Sequence, residues 1–389
     1  MLLIPSLQAR EGMFLTWQSD PCTTMTISWL SKSPQPQELR FHQIDSNDWF
    51  YQFSLVKPLP DNLPFYLHRV ELIELQPDSS YAFTIDNDQN LSKFKTLPSQ
   101  LNQTLRFVVG GDMYNEEDTS VFKKMNLQAA KTNPSFVLIG GDIAYSGRKL
   151  WFLQEKGSRW IEWLKAWDET MITTDGFLIP LLPVIGNHET NGRFGQTPNQ
   201  AKFFYTLFPM PGLPGYNVVD IGDYLSIFLL DSGHTNAIGQ FQSAWLEQAL
   251  QKRKDKQHKF AVYHVPAYPS RGSYVFKQSS LIRKYWVPLF DRYHLDIAFE
   301  HHCHTYKRTY ALKNNQLDSN GTVYLGDGAW SIDNVRKVNL DKKHWFLAEA
   351  KSINHFILAE ITQERRDFKA IDNNGNAFDF YQMILPKKG

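Results

Sequence analysis

Cysteine, long apolar runs and net charge are all scarce in this chain, and each shortage excludes a class of protein. Its 389 residues include only two cysteines, Cys22 and Cys303, so a disulfide framework is improbable. No run approaches the roughly 20 apolar residues that span a membrane, and residues 1–6 lack the charged and apolar regions of a signal peptide. A formal net charge of +1 argues against a nucleic-acid-binding surface. We therefore expect a soluble chain with no membrane span and no nucleic-acid partner; its compartment and oligomeric state are not predicted.

The first quarter of the chain has the pattern of a small β domain, which we place at residues 1–98. Alternating apolar and polar residues predict strands at 14–17, 25–30 and 66–72. Residues 75–81 have the pattern of a tyrosine corner ending at Tyr81, and Trp29 is a candidate core indole. These features favour a β-sandwich of the fibronectin type III kind, followed by a linker near 96–100.

From Leu105 onward the pattern changes to strands alternating with helices, typical of an α/β domain, which we place at 103–389. The spacing of apolar residues predicts helices at 119–131, 151–170, 241–253 and 281–293. Strands are predicted at 105–109, 136–139, 178–185, 225–230, 260–263 and 296–299, with 353–358 and 367–385 as further strands that close the second layer.

Five short segments of this second domain share one pattern: an apolar run that ends at potential metal ligands. They end at Asp112, at Asp142 with Tyr145, at Asn187 with His188, at His264, and at His302 with His304. Because the ends of parallel strands share one edge of a sheet, these side chains can converge. Two carboxylates, one phenol, one amide oxygen and three imidazoles suit two adjacent metal ions better than one.

Several of these residues also have a structural interpretation. An aspartate after glycine is often a turn or helix N-cap residue, and an isolated Tyr145 would more often be a core tyrosine. The repetition of Gly-Asp, followed by Asn-His and His-x-His, favours metal binding. An extended backbone around Cys303 would place His302 and His304 on one face and His301 on the other. We therefore interpret His301 as structural and Cys303 as a small buried residue.

In this order the five segments resemble the motifs of the purple acid phosphatases, within the binuclear metallophosphoesterases. The second motif is intact as Gly141-Asp142-Ile143-Ala144-Tyr145 and the third as Gly186-Asn187-His188-Glu189. The resemblance implies an all-β sandwich N-terminal domain followed by a four-layer α/β/β/α metallophosphoesterase domain. Three positions depart from the family pattern: Tyr114 and His301 replace motif glycines, and Val262 lies two rather than three residues before His264. Because all metal donors are present, these departures concern the substrate pocket.

The resemblance also implies the roles of individual residues. Asp112, Tyr145 and His304 would hold a ferric ion, Asn187, His264 and His302 would hold a divalent ion (Fe²⁺, Zn²⁺ or Mn²⁺), and Asp142 would bridge the two. His188 would be the catalytic residue that contacts the phosphoryl group and assists the leaving alkoxide. Tyr268, Arg271 and His301 are possible substrate contacts.

The implied activity is that of an acid phosphatase, a phosphoric monoester hydrolase in which a metal-activated hydroxide attacks a small-molecule phosphate ester. The family resemblance also suggests an exported enzyme. One alternative is a phosphodiesterase of the same superfamily, acting on nucleotide or lipid head-group diesters. Another is a binding protein with a vestigial metal site. A structural zinc site is disfavoured because such sites are rich in cysteine.

Overall fold

The structure is a computed structural model that describes residues 10–386, except 87, 114–117, 149, 151 and 339–343. Tyr114 and the start of the helix predicted from residue 151 therefore lie outside the described residues. Within the described part of the chain, no helix is long and apolar enough to cross a membrane.

Eight antiparallel strands form two four-stranded sheets at the N-terminal end. They are β1 (Glu11–Thr16), β2 (Met25–Ser31), β3 (Glu38–Gln43), β4 (Phe50–Phe53), β5 (Leu55–Pro58), β6 (Tyr66–Leu72), β7 (Ser80–Ile85) and β8 (Ser92–Lys95), with a 3₁₀ turn at Pro60–Asn62. The sheet orders are β1-β2-β6-β5 and β4-β3-β7-β8. Trp29 of one sheet and Phe83 of the other are buried in the same core, and the Tyr81 hydroxyl accepts a 2.8 Å hydrogen bond from the backbone N–H of Gln76. The predicted tyrosine corner and core indole are therefore observed.

Three parallel strands begin the α/β domain, joined by two helices. These elements are β9 (Leu105–Gly110), α1 (Ser120–Ala130), β10 (Val137–Ile139), α2 (Gly157–Thr170) and β11 (Leu181–Pro183).

The second half of the domain builds another sheet around a parallel centre. A 3₁₀ turn at Pro198–Gln200 is followed by α3 (Lys202–Leu207), β12 (Asn217–Ile221), β13 (Leu225–Leu229), α4 (Phe241–Lys252), β14 (His258–Val262), α5 (Lys277–Tyr285), α6 (Val287–Tyr293), β15 (Ile297–Glu300), β16 (Tyr306–Thr309), the ribbon β17 (Leu312–Lys313) and β18 (Gln316–Leu317), β19 (Val323–Gly326) and β20 (Leu347–Lys351). The sheet order is β12-β13-β14-β15-β19-β16-β20, with β13, β14, β15 and β19 parallel.

Three C-terminal strands, β21 (His355–Ile361), β22 (Arg365–Asp372) and β23 (Ala377–Ile384), join the first sheet through β9. Its order is β11-β10-β9-β21-β22-β23. The tail was expected to close the second layer; it completes the first instead, because β21 pairs with the free edge of β9.

The two sheets pack face to face and carry helices on their outer faces. Phe107 of β9 contacts Phe260 and Phe299 of the second sheet, with ring centroids 5.8 and 6.4 Å apart. Helices α1 and α2 cover the first sheet, and α4 to α6 cover the second with Trp286 at their centre. This is the expected four-layer α/β/β/α order.

Two predicted helices differ from the observed ones. The helix expected at 281–293 is two helices, since Pro288 at the start of α6 has no N–H to continue the hydrogen-bond ladder. Helix α2 begins at Gly157 rather than at 151, and the backbone of the preceding Lys156 is not helical (φ −81°, ψ 80°). The carboxylate of Glu155, just before it, accepts hydrogen bonds from the Lys202 N–H at 2.8 Å and the Ser146 hydroxyl at 3.2 Å. The domain limits at 98 and 103 fall between β8 and β9 and stay a prediction.

Candidate metal centre

The ends of five parallel strands bring the predicted donors to one edge of the two sheets. Asp112 follows β9, Asp142 and Tyr145 follow β10, and Asn187 follows β11 in the first sheet. His264 follows β14, and His302 and His304 follow β15 in the second. Because all these strands point the same way within their sheets, residues nearly two hundred positions apart meet at one place.

Asp112, Tyr145 and His304 form the first group of donors. Nε2 of His304 lies 3.0 Å from Oδ1 of Asp112, and the Tyr145 hydroxyl lies 3.4 Å from the same oxygen and 3.3 Å from Nε2 of His304. The second oxygen of Asp112 accepts a 3.0 Å hydrogen bond from the backbone N–H of His302. The loop that carries both histidines is thereby tied to the end of β9.

Asn187, His264 and His302 form the second group. Nε2 of His264 lies 3.1 Å from Oδ1 of Asn187 and 3.1 Å from Nδ1 of His302. The other ring nitrogen of His264 donates to the carbonyl of Gly140 at 2.9 Å. That hydrogen bond fixes the orientation of the ring and leaves Nε2 free to bind a metal, an arrangement that is usual for histidine ligands.

Asp142 lies between the two groups. Its ligand oxygen is within 4.8 Å of donor atoms of His264 and His302 on one side, and of Asp112 and His304 on the other. Oδ1 accepts a 2.7 Å hydrogen bond from the backbone N–H of His188. Oδ2 is buried and makes no hydrogen bond of good geometry, although Nε2 of His264 is 3.3 Å away. A buried carboxylate oxygen without a hydrogen bond of good geometry is costly unless a cation balances its charge.

The charges of this site favour a cation at its centre. Burial lowers the pKa of His264, but the carboxylates of Asp142 and Asp112 outweigh that effect and raise the pKa to about 9. For the Tyr145 phenol, burial raises the pKa well above its usual value, and the carboxylates of Asp112 and Asp142 add to the rise. Tyr145 can therefore ionise near neutral pH only beside a strongly acidic cation, and the donor set as a whole fits a pair of metal ions.

Five of the seven donors have the left-handed backbone conformation. The φ angles are 55° at Asp112, 51° at Asp142, 50° at Tyr145, 77° at His302 and 58° at His304. This region is uncommon for residues other than glycine and costs of order 1–3 kcal/mol per residue. Such strain persists where surrounding structure holds it, which indicates that the positions of these side chains matter for function.

His188 lies at the partly exposed rim of the donor set. Its ring stacks on Tyr145, with centroids 4.2 Å apart and planes at 24°. Burial lowers the pKa of His188, and the Asp142 carboxylate opposes that shift. The ring of His188 is thus held beside the metal donors and is partly exposed to solvent.

The family model for calcineurin-like phosphoesterases matches residues 105–306, more than half of the chain. The chain belongs to the calcineurin-like phosphoesterase family. Purple acid phosphatase 21 of Arabidopsis thaliana is 23% identical over 332 residues, which cover 83% of this chain and 70% of that protein. The Fe(3+)-Zn(2+) purple acid phosphatase 12 of the same plant is 23% identical over 268 residues, covering 64% and 53%.

The structure of a purple acid phosphatase from yellow lupin (Lupinus luteus) seeds matches 97% of this chain and 74% of its own, with a TM-score of 0.81 and 16% sequence identity. At that identity the match shows the fold alone. It confirms the predicted order of an N-terminal β domain and a phosphoesterase domain, and the resemblance to purple acid phosphatases is confirmed by the family and its curated relatives.

In this phosphoesterase, two of the three predicted substrate contacts are buried. Tyr268 is fully buried and its hydroxyl donates to Oδ1 of Asn315 at 2.5 Å. His301 is 1% exposed, and its ring fills the space beside Gly140, where a Cβ would lie 1.9 Å from it. Arg271, by contrast, is exposed beside His302. Substrate contact by any of the three residues stays a prediction. The interpretation of His301 as structural fits its position.

Two residues of the site have no predicted role from the sequence. The carboxylate of Glu189 accepts hydrogen bonds of 2.7–2.8 Å from the backbone N–H groups of Asp142, Ile143 and Gly186, and so fixes the second motif to the third. Arg336 donates its backbone N–H to the carbonyl of His304 at 3.0 Å. Glu189 belongs to a recognised motif and could have been found; Arg336 lies in a loop without any pattern.

Proposed function

We propose that this family member is a phosphatase that hydrolyses small-molecule phosphate monoesters at a centre of one ferric and one divalent ion. The observation that carries the proposal is the convergence of six donors in two groups on either side of the buried carboxylate of Asp142, the seventh donor. A single ion could bind only one of the two groups. The nitrogen and oxygen donors of the other group would then be left without a metal. The names of the curated relatives support the same activity.

Asp112, Tyr145 and His304 would hold the ferric ion, because this group combines the phenol with a carboxylate and one imidazole. Asn187, His264 and His302 would hold the divalent ion, which fits their neutral donors, and Asp142 would be shared. When bound, such a pair polarises phosphoryl oxygens and lowers the pKa of a bound water. The three anionic donors would leave the centre with net positive charge, which attracts a phosphate ester. One relative is described as an Fe(3+)-Zn(2+) enzyme, which supports this choice of metals.

His188 would donate a proton to the leaving group. Its backbone is held by the carboxylate of Asp142 at 2.7 Å and its ring rests on Tyr145, so it can face the phosphoryl group without binding a metal. An imidazole at this place can hold a proton at a ring nitrogen and donate it to the departing alkoxide oxygen. A positioned acid of this kind contributes on the order of 10²–10⁴-fold to the rate.

Rates on a chromogenic phosphate monoester and on the matching diester test the proposal. We expect the monoester to be hydrolysed with the higher kcat/KM, and hydrolysis to be lost when a chelator removes the metals. A higher kcat/KM on the diester would favour the phosphodiesterase alternative, and no turnover of either ester by metal-loaded protein would favour a binding protein. Export from the cytoplasm and the lack of a nucleic-acid partner stay predictions.

A further inference from the structure

A small pocket opens beside the proposed metal centre and shares His302 with it. Its volume is about 160 Å³, and its walls include Val265, Pro266, Phe276 and Cys303. The ring of Phe276 lies nearly parallel to that of His302, with centroids 6.4 Å apart and planes at 15°. Because one edge of His302 faces the donor set and its ring lines the pocket, a group bound there is within reach of a phosphoryl group at the metals.

Two arginines supply the charge of this pocket. Arg271 and Arg336 both line it, and no aspartate or glutamate is among the described residues that do so. Within the described parts of the chain, neither guanidinium lies at ion-pairing distance from a carboxylate, in contrast to Arg253 or Arg308, which have carboxylate partners at 2.7 Å. Two guanidinium groups with no carboxylate partner among the described residues, set beside apolar walls, would suit an anion, since arginine binds planar carboxylates and phosphates.

Backbone hydrogen bonds hold both arginines in place. The N–H of Arg336 donates to the carbonyl of His304 at 3.0 Å, and one guanidinium N–H lies 3.4 Å from the carbonyl of His302. The carbonyl of Arg271 accepts from the thiol of Cys303 at 3.5 Å. Both backbones are thus close to the loop that carries two proposed metal ligands, and the guanidinium of Arg336 also reaches it.

We propose that this pocket receives the leaving group of the ester, and that Arg271 and Arg336 select small esters whose leaving group bears a second anionic group. The inference rests on the proposed function and adds the substrate class to it. The volume is below the roughly 300–1,000 Å³ of pockets for larger ligands, which favours a short carboxylic acid or a second phosphate over a nucleoside. The pocket mouth at Arg271 and Gly272 is exposed, so the product can leave.

Matched esters test the selection. Phosphoglycolate and hydroxyethyl phosphate differ only in a carboxylate against a hydroxymethyl group, and ethanediol bisphosphate carries a second phosphate instead. We expect the metal-loaded enzyme to prefer at least one anionic ester over the neutral one by about tenfold in kcat/KM, the value of one charge-assisted hydrogen bond in a partly exposed site. Which anionic ester is preferred distinguishes a carboxylate site from a phosphate site.

Arg271→Gln and Arg336→Gln should each remove most of that preference, measured as the ratio of kcat/KM for the anionic ester to kcat/KM for the neutral one. Lys337→Gln is the matched control, because it removes an exposed cation next to Arg336 that does not line the pocket; it should leave the preference intact. An equal loss on all three esters would mean that the arginines bind the transferred phosphoryl group, and would overturn the inference. Equal rates on all three esters by the unaltered enzyme would also overturn it, while leaving the proposed function intact.

Binding measured without turnover separates this inference from the proposed function. Phosphonopropionate, a non-hydrolysable analogue of phosphoglycolate, should bind the metal-loaded protein about tenfold more tightly than propylphosphonate by calorimetry, and the two arginine variants should lose that difference. If the difference in binding is present but no ester is hydrolysed, the selection stands and the proposed function fails. If the two phosphonates bind equally, the selection fails.

Discussion

The buried ion pair between Glu300 and Lys307 gives a prediction with a magnitude that follows from the structure. Both side chains and Asp327 are fully buried. Lys307 forms its ion pair with Glu300 and lies 4.0 Å from Asp327, while Glu300 also accepts 2.6 Å hydrogen bonds from the Tyr263 hydroxyl and the Ala267 N–H. Replacing Lys307 by methionine would leave two buried carboxylates without a cation, and breaking one buried pair costs about 3–5 kcal/mol.

We expect Lys307→Met to lower the free energy of unfolding by that amount in urea denaturation of the metal-free protein. The double variant Glu300→Gln with Lys307→Met should recover the part of the loss that comes from Glu300, since only Asp327 then remains without a cation. Arg106→Gln is the control: it breaks a surface pair with Glu360, in which Arg106 is 48% exposed, and should cost less than about 1 kcal/mol. A loss below about 1 kcal/mol for Lys307→Met would refute the reasoning.

The loss in free energy of unfolding caused by Lys307→Met should change with pH in a defined direction. Burial raises the pKa of Asp327, and Lys307 opposes that rise. A carboxyl group with a raised pKa stabilises the fold below the pKa of the unfolded chain, and this contribution is lost as pH rises through the folded pKa. Without Lys307 the pKa of Asp327 in the folded protein rises further. The loss in free energy of unfolding caused by Lys307→Met should therefore shrink as the pH falls from neutral towards about 4. A loss in free energy of unfolding that grows as the pH falls would contradict this prediction.

Three further variants test the site. His188→Asn should lower kcat on the order of 10²–10⁴-fold while two metals remain bound, as metal analysis would check; an unchanged kcat would remove His188 from the reaction. Tyr145→Phe should abolish the visible charge-transfer absorbance of an iron-loaded protein, so absorbance that persists in this variant would show that the phenol is not a ligand. Gly140→Ala would place a Cβ 1.9 Å from the buried His301 ring, and should lower the free energy of unfolding by about 1–3 kcal/mol; equal stability would mean that the ring can move.

The strand-end pattern was the most informative part of the sequence, for a physical reason. Apolar runs that stop at Asp, Asn or His reveal both the buried strand and the edge where its end must lie, so the seven donors could be named without contacts between distant residues. The N-terminal strands and the corner at Tyr81 were also predicted, since alternation and turn chemistry are local properties.

Features that depend on tertiary contacts were not predicted from the sequence. The carboxylate of Glu155, which precedes α2, accepts a hydrogen bond from the backbone N–H of Lys202, far along the chain. Tyr268 looked like a candidate for substrate contact because it lies in the loop after His264, yet that loop turns its ring into the aromatic core, 4.5 Å from Tyr324. Arg336 joins the site through hydrogen bonds to the carbonyls of His304 and His302. None of these contacts leaves a periodic or local pattern.

Metal content measured per chain tests the central claim most directly. Elemental analysis of the purified protein should find two metal ions per chain, one of them iron, and Asp142→Asn should no longer hold the pair, because the one carboxylate that lies between both groups of donors is gone. Retention of two metal ions per chain by Asp142→Asn, or a single ion in the unaltered protein, would contradict the account.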